Sequence, residues 1–296
     1  MCEYVFEPEQ CINVTPKRDD SWECPRDTIN GSNKCEYHAD VSELGDDTTE
    51  EEVFIRLIED DIKIVGARFD KLELTASDIN EISANSINIY NAEFNHFEMK
   101  SIEISKNMTF FGCEFGTYNE HNTTNRRVRR FIGCYCKKPF TFDPDINFEA
   151  IKVKRTTFSD SVQIEGEYRG RLMIEESVFN NVIRINNAEL KSGCKILESV
   201  FRGEIHISDI TVTDEMQIKS VELPLKSIIS DSEIEIFKLN PKKGLPSLVD
   251  IRDGTELSAG SLLNTETAEI YYDLSYARIG DIHIDLDNGN WENYLF

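Results

Sequence analysis

No apolar run in this 296-residue chain approaches the roughly 18 to 20 residues of a membrane-spanning helix. Its opening, MCEYVFEPEQ, has neither the basic stretch nor the apolar core of a secretory signal, so the sequence alone reads as a soluble, cytoplasmic chain. Positive charge is scarce. The balance of 32 basic against 55 acidic residues gives −23 at pH 7, which excludes a whole-chain electrostatic footprint for nucleic acid or an anionic membrane. Short catalytic signatures are missing as well: there is no GxxxxGK(S/T), no GxGxxG, no GxSxG and no HExxH, and the expectation is a protein that is not an enzyme. What is present is 40% hydrophobic residues, enough to bury the core of one large domain or two modest ones.

The charge is unevenly placed. Residues 1–61 hold 18 acidic and 5 basic side chains, so this fifth of the chain carries −13 of the −23. Its most acidic part, residues 41–61, reads as a solvated linker or a helical cap. The opposite bias occurs at 110–155, with nine basic and five acidic residues; Arg126, Arg127, Arg129, Arg130, Lys137 and Lys138 form the expected basic patch. Solubility, life in high salt, or competition for a cationic partner each account for a global carboxylate excess, and adaptation to salt is the most economical of the three.

Internal periodicity is the strongest signal. Apolar residues recur every fifth position at Ile64, Phe69, Leu74, Ile79, Ala84, Ile89, Phe94, Met99 and Ile104, each with a second inward candidate two residues earlier, such as Ala67, Leu72, Ile87, Ala92 and Phe97. Neither a 3.6-residue nor a two-residue period sustains such a beat, so the chain must turn once per repeat. The physical solution is a solenoid of short sides whose coils pair backbone to backbone at about 4.8 Å. Beyond the basic segment the centres fall at Ile174, Phe179, Ile185, Leu190, Ile196, Phe201, Ile207, Val212, Ile218 and Leu223, which is an 11-residue repeat. This predicts coils of 20 residues in the first part and 22 in the second, with 110–155 as an irregular insertion between them.

On these residues the chain resembles the pentapeptide-repeat family, whose units read roughly A(D/N)Lxx; GARFDK and NAEFNH fit well. The resemblance is tight over 62–109 and looser over 156–286, where isoleucine replaces many central leucines. It implies an all-β fold, a right-handed quadrilateral parallel β-helix over 62–286. Residues 1–40 would form a small Cys/His cap, and 287–296 a C-terminal tail or a truncated continuation.

Five of the thirteen Cys and His residues precede the repeats: Cys2, Cys11, Cys24, Cys35 and His38. In a chain without a secretory signal such clusters are metal sites more often than disulfides. The Cys35-x2-His38 spacing places two ligands on one turn, and a tetrahedral structural zinc of three cysteines and one histidine is the expectation. The stretch WECPRDTINGSNKCEYH, with CEYVFEP ahead of it, resembles the cap that precedes pentapeptide repeats in proteins of salt-loving archaea. That resemblance favours Cys2, Cys24, Cys35 and His38, with Cys11 as the alternative ligand. Such a cap would also cover the open end of the solenoid, whose exposed edge otherwise invites end-to-end association, including homodimers.

The leading functional expectation is a non-catalytic scaffold or regulatory module for a protein partner of unknown identity. The resemblance adds a DNA-mimicking inhibitor of an enzyme such as a type II topoisomerase. Outside the basic segment, residues 62–296 carry −14 (32 acidic, 18 basic) over about 40 Å of coil, against about 24 charges on duplex DNA of that length. A third reading, a glycan-active β-helix, would use Asp281, Asp285 and Asp287.

Overall fold

The computed structural model describes residues 1–6, 22–24, 26–29, 31–39, 43, 49–59, 64–75, 86–102, 107–123, 127–144, 149–242, 247–262, 270–284 and 294–295. Apart from one helix it is all β. Apart from one two-stranded antiparallel pair near the N-terminus, every strand belongs to a single sheet whose pairings are parallel and link each coil to the next. This is the solenoid that the repeat implied, in the right-handed parallel form that the resemblance added. A membrane-crossing helix is not found among the described residues.

One coil defines four sides. Side A is Leu172–Glu175, side B is Val178–Phe179, and the strand Ile183–Leu190 bends at Asn187 to give side C (183–186) and side D (188–190). Two of the corners are made by residues with positive φ. Gly66, Asn91, Gly112, Gly133, Arg155, Glu176, Glu198 and Ser220 turn side A into side B. Ser101, Asn122, Gly166, Asn187, Asp209, Asp231 and Asp253 turn side C into side D. The two series interleave at about eleven residues, which is the beat legible in the second half of the sequence, and glycine, Asn and Asp are common there because they tolerate this conformation best.

Inside, equivalent residues stack into columns. From Ile64 the side A column runs through Ile89, Phe110, Phe131, Val153, Ile174, Ile196, Ile218, Leu239 and Leu262. On side B, Phe69, Phe94 and Phe115 stack at 5.3 and 5.2 Å, and Phe158, Phe179 and Phe201 at 4.9 Å, with Cys136 occupying the rung between the two groups. All described members of both five-residue series, and all ten centres of the second half, are buried.

After every A/B corner but that of Ser220, which Val221 follows, comes a small buried residue: Ala67, Ala92, Cys113, Cys134, Thr156, Ser177 and Ser199. The hydroxyls among them link the coils. Thr156 Oγ1 accepts from Cys134 N–H at 3.3 Å, Ser177 Oγ from Thr156 N–H at 3.2 Å and Ser199 Oγ from Ser177 N–H at 3.2 Å, so a polar slot is satisfied entirely by its neighbours. Cys194 lies outside this series. It pairs with Leu172 and Met216 on side A and is a buried thiol of the main column.

Three boundaries expected from the sequence need correction. The first coil takes 25 residues from Ile64 to Ile89 and the next 21 from Ile89 to Phe110, not 20. The described parts of 110–155 are no insertion: Glu114–His121, Val128–Ile132, Phe140–Asp143 and Ala150–Lys154 lie in the same parallel ladder. The break in the apolar pattern comes from polar side chains at inward positions. Finally, Tyr294 and Leu295 pair with Tyr272 and Asp273, so the ladder extends beyond residue 286.

The helix Glu50–Glu59 covers the first coil. Thr49 caps its N-terminus, with Oγ1 accepting from Glu52 N–H at 3.2 Å, and its apolar face (Val53, Phe54, Leu57, Ile58) is buried. The acidic first turn meets the open edge of the sheet. Glu50 accepts the N–H groups of Asp70 and Lys71 at 2.8 and 2.7 Å, and Glu51 accepts that of Glu73 at 3.0 Å. Edge donors that would otherwise recruit another strand are thereby satisfied.

Candidate metal centre

The cap is organised by backbone hydrogen bonds around four side chains. Val5–Phe6 pairs antiparallel with Trp22–Glu23, which brings the N-terminus beside Cys24. Cys2 N–H donates to Arg26 O, and Glu3 N–H to Asn33 O, drawing in the loop that follows. The Cys35-x2-His38 spacing forms a single turn, with His38 N–H bonded to Cys35 O at 3.0 Å and Ala39 N–H at 2.9 Å.

This arrangement collects Cys2 Sγ, Cys24 Sγ, Cys35 Sγ and one ring nitrogen of His38 within 4.8 Å of one another, all buried. Cys24 and Cys35 sulfurs are 3.7 Å apart, and His38 Nδ1 lies 3.4 Å from Cys2 Sγ and 3.2 Å from Cys35 Sγ. A tetrahedral ion with metal–sulfur bonds of about 2.3 Å requires sulfur–sulfur edges of about 3.8 Å. The four side chains therefore fit a metal ion. With four protein ligands the coordination would be closed, which suits a staple better than a catalyst.

Surrounding groups fix the histidine. Its Nε2 is 2.7 Å from the carbonyl oxygen of Val65 on the first coil, and the Tyr4 ring stacks on the imidazole at 3.9 Å and 10°. A ring N–H held on a backbone carbonyl leaves Nδ1 as the lone pair facing the sulfurs, the usual outer support of a metal-ligating histidine. Burial lowers the His38 pKa and keeps the ring neutral. Burial also raises Cys24, and it takes Cys35 up to about 12 although Tyr37 N–H pulls the other way. At Cys2 burial again pushes upward, but the N–H groups of Tyr4 and Cys35 outweigh it, and the net shift is down. Cys11 lies outside the described residues.

A second group, Glu73, His96 and Glu98, gathers on side C. Lys71 Nζ already sits 2.8 Å from Glu73, and His96 bonds Thr117 Oγ1 at 2.6 Å and lies 3.5 Å from Glu98. These contacts make it a half-exposed ion-pair cluster in its own right.

The expected basic patch does not assemble. Arg129 is fully buried and forms a two-pronged pair with Glu120 (3.3 and 3.1 Å), whose carboxylate also accepts from Tyr118 at 2.5 Å and Thr123 at 2.8 Å. Arg130 faces outward on side A, Arg127 is exposed at the start of that strand, and Lys137 and Lys138 are exposed beyond side B, where Lys137 pairs with Glu114. Arg126 lies outside the described residues, as do Asp285 and Asp287; Asp281 is exposed.

Sequence reading missed the interior cluster of Glu120, Arg129, Tyr118 and Thr123. The available signal was position, since Glu120 stands between Met99 and Phe142, its partners in register in one inward column. Comparison of the chain with protein-family models, curated proteins and solved structures finds no match.

Proposed function

We propose that this chain is a non-catalytic protein-interaction scaffold or regulatory module, a pentapeptide-like solenoid whose N-terminal end is stapled by one structural zinc ion on Cys2, Cys24, Cys35 and His38. The observation that carries this reading is the unbroken parallel ladder from Ile64 to Ile284. It holds outward side chains at fixed spacing over a buried core, which gives broad, rigid surfaces. Zinc is the metal best suited to three thiolates and an imidazole in a closed tetrahedron.

A DNA-mimicking inhibitor is the second reading. In its favour, Glu167 and Glu189, then after Thr211, Glu233 and Glu256, share one outward column of side D. Against it stand Lys152, Lys195 and Lys219, which face outward on side A and whose sign is wrong for a phosphate surrogate.

A native affinity purification in chelator-free, high-salt buffer, with metal analysis of the eluate, tests both parts. About one zinc per chain and a recurrent protein partner are expected. Repeated isolation without any protein partner would overturn the scaffold reading, and eluate free of zinc would overturn the staple.

A further inference from the structure

On a chain of net charge −23, side A has the opposite sign. Its outward residues form two columns, one per rung of the ladder. The first runs Arg130, Lys152, Met173, Lys195, Gln217, Lys238. The second, two residues further along each strand, begins with Tyr90, Phe111 and Ile132 and continues with Lys154, Glu175, Leu197 and Lys219. Six cations thus face one carboxylate.

Own-chain neutralisation is incomplete. Lys154 pairs with Glu175 and Glu176, and Lys238 with Glu215. Among the described residues Arg130, Lys152, Lys195 and Lys219 form no ion pair, despite the excess of carboxylates elsewhere. Arg130 and Lys152 stand opposite each other one rung apart, about 4.8 Å, where like charges are destabilising, and Lys195 and Lys238 follow at every second rung. Such a row is relieved when a polyanion lies on it.

We propose that side A docks an extended acidic segment of another protein, laid along the solenoid axis. This rests on the scaffold reading above and names its face and the chemistry of its partner. The width of the strip decides the class. Its two columns are about 7 Å apart; it is bordered at the A/B corner by Glu198 and by the Arg155–Glu176 pair, and on its other edge by Glu215, two residues before Gln217. An extended chain fits on two columns, whereas a nucleic-acid duplex or a membrane would reach past the strip to Glu198 on one edge and Glu215 on the other, both within the roughly 8 Å screening length of physiological salt. Single-stranded nucleic acid requires free aromatic faces for its bases. Here Tyr90 and Phe111, the aromatic pair of the second column, are stacked on each other at 4.8 Å and 7°. Ile132 and Leu197 in that column offer apolar contacts beside the lysines, which a polypeptide of mixed acidic and apolar side chains can meet.

The test is a fluorescence anisotropy titration of the full chain with labelled poly-L-glutamate. Two triple charge reversals are compared: K152E/K195E/K238E on side A, and K137E/K138E/R202E on and beside side B, which changes net charge equally. Saturable binding that weakens about tenfold or more in the side A variant and much less in the control is expected. If the glutamate variant loses its circular dichroism, K152Q/K195Q/K238Q takes its place with the same expectation. The proposal fails if polyglutamate does not saturate, or if both variants weaken it equally. It also fails if oligo-dT or phosphatidylserine vesicles compete better than polyglutamate, or if light scattering shows that a second copy of the chain occupies side A. Native purification of the side A variant separates the two readings. A partner retained equally by both proteins sinks the docking proposal alone, and no partner for either sinks the scaffold.

Discussion

The ring nitrogen Nε2 of His38 stands 2.7 Å from the carbonyl oxygen of Val65, so the side chain that completes the cap's donor set also reaches the first strand of side A. Cap and solenoid are joined through one imidazole. Bound metal would hold the ring in place, and the Val65 contact would pass that order to the coil.

Chelation is therefore expected to lower the thermal midpoint of the whole protein by about 10 °C, on the basis of tight-binding linkage and domain-sized unfolding entropy. Cys35→Ser and His38→Ala should show the same loss without chelator and retain little metal by mass spectrometry. A midpoint indifferent to chelator would show that the cluster is a packed set of thiols.

Gly66→Ala should be among the most damaging single-atom additions in the molecule. Gly66 has φ of 67°, and a Cβ there would lie 1.9 Å from Tyr4 Oη and 2.0 Å from its Cζ. The conformation alone costs about 1 kcal/mol, and displacing Tyr4 strips the ring from His38. A loss of about 3 kcal/mol is expected in denaturant unfolding, partly recovered in the double variant G66A/Y4A. Equal losses in the single and double variants would refute the contact.

The buried Glu120–Arg129 pair predicts strong non-additivity. Glu120→Gln or Arg129→Met alone leaves a buried partner unpaired and should cost about 3 to 5 kcal/mol. E120L/R129M removes both charges and should cost well under the sum. A double-mutant cycle on denaturant midpoints checks this; additive losses would contradict the pairing.

Glu50 provides a pH test with an uncommon sign. Burial raises its pKa above the ordinary 4.5, outweighing the N–H bonds from Asp70 and Lys71. The folded state then holds this proton more tightly than the unfolded state. Its contribution is greatest at low pH and declines as pH rises through the window above 4.5. The thermal midpoint of the protein minus that of Glu50→Gln should fall across this window, and a rising difference would reverse the assignment.

Much of the coil was legible because inward positions are filled by Ile, Leu, Phe and Val at a constant beat: Phe69, Phe94, Ile174 and Ile196 all point where spacing placed them. The Cys/His cluster was equally plain, since three of its ligands lie within fifteen residues of one another. Legibility failed at 110–155 because hydrophobicity is only a proxy for facing inward. Glu120, Thr123 and Arg129 are polar yet buried, each satisfied by a partner within this cluster, and a pattern of apolar letters cannot see a pair closed across nine residues. Coil length was misjudged for a related reason: register is set by pairing between coils, which a local repeat does not report. The sign of side A was hidden too, because Lys152, Lys195 and Lys238 are 43 residues apart in the chain.

The alternation of two left-handed corners has a consequence for how such a chain can change in length. Over much of the second half one circuit takes 22 residues, as from Ile183 to Ile205 and on to Ser227. Deleting or duplicating that many residues there adds or removes a whole storey and leaves every column continuous. A change of eleven is locally just as compatible with the corner sequence, yet it rotates everything downstream by half a circuit, setting side A strands against side C. Length in this molecule is quantised in circuits, and slippage during gene duplication would be filtered accordingly: whole storeys survive, half storeys scramble the surface.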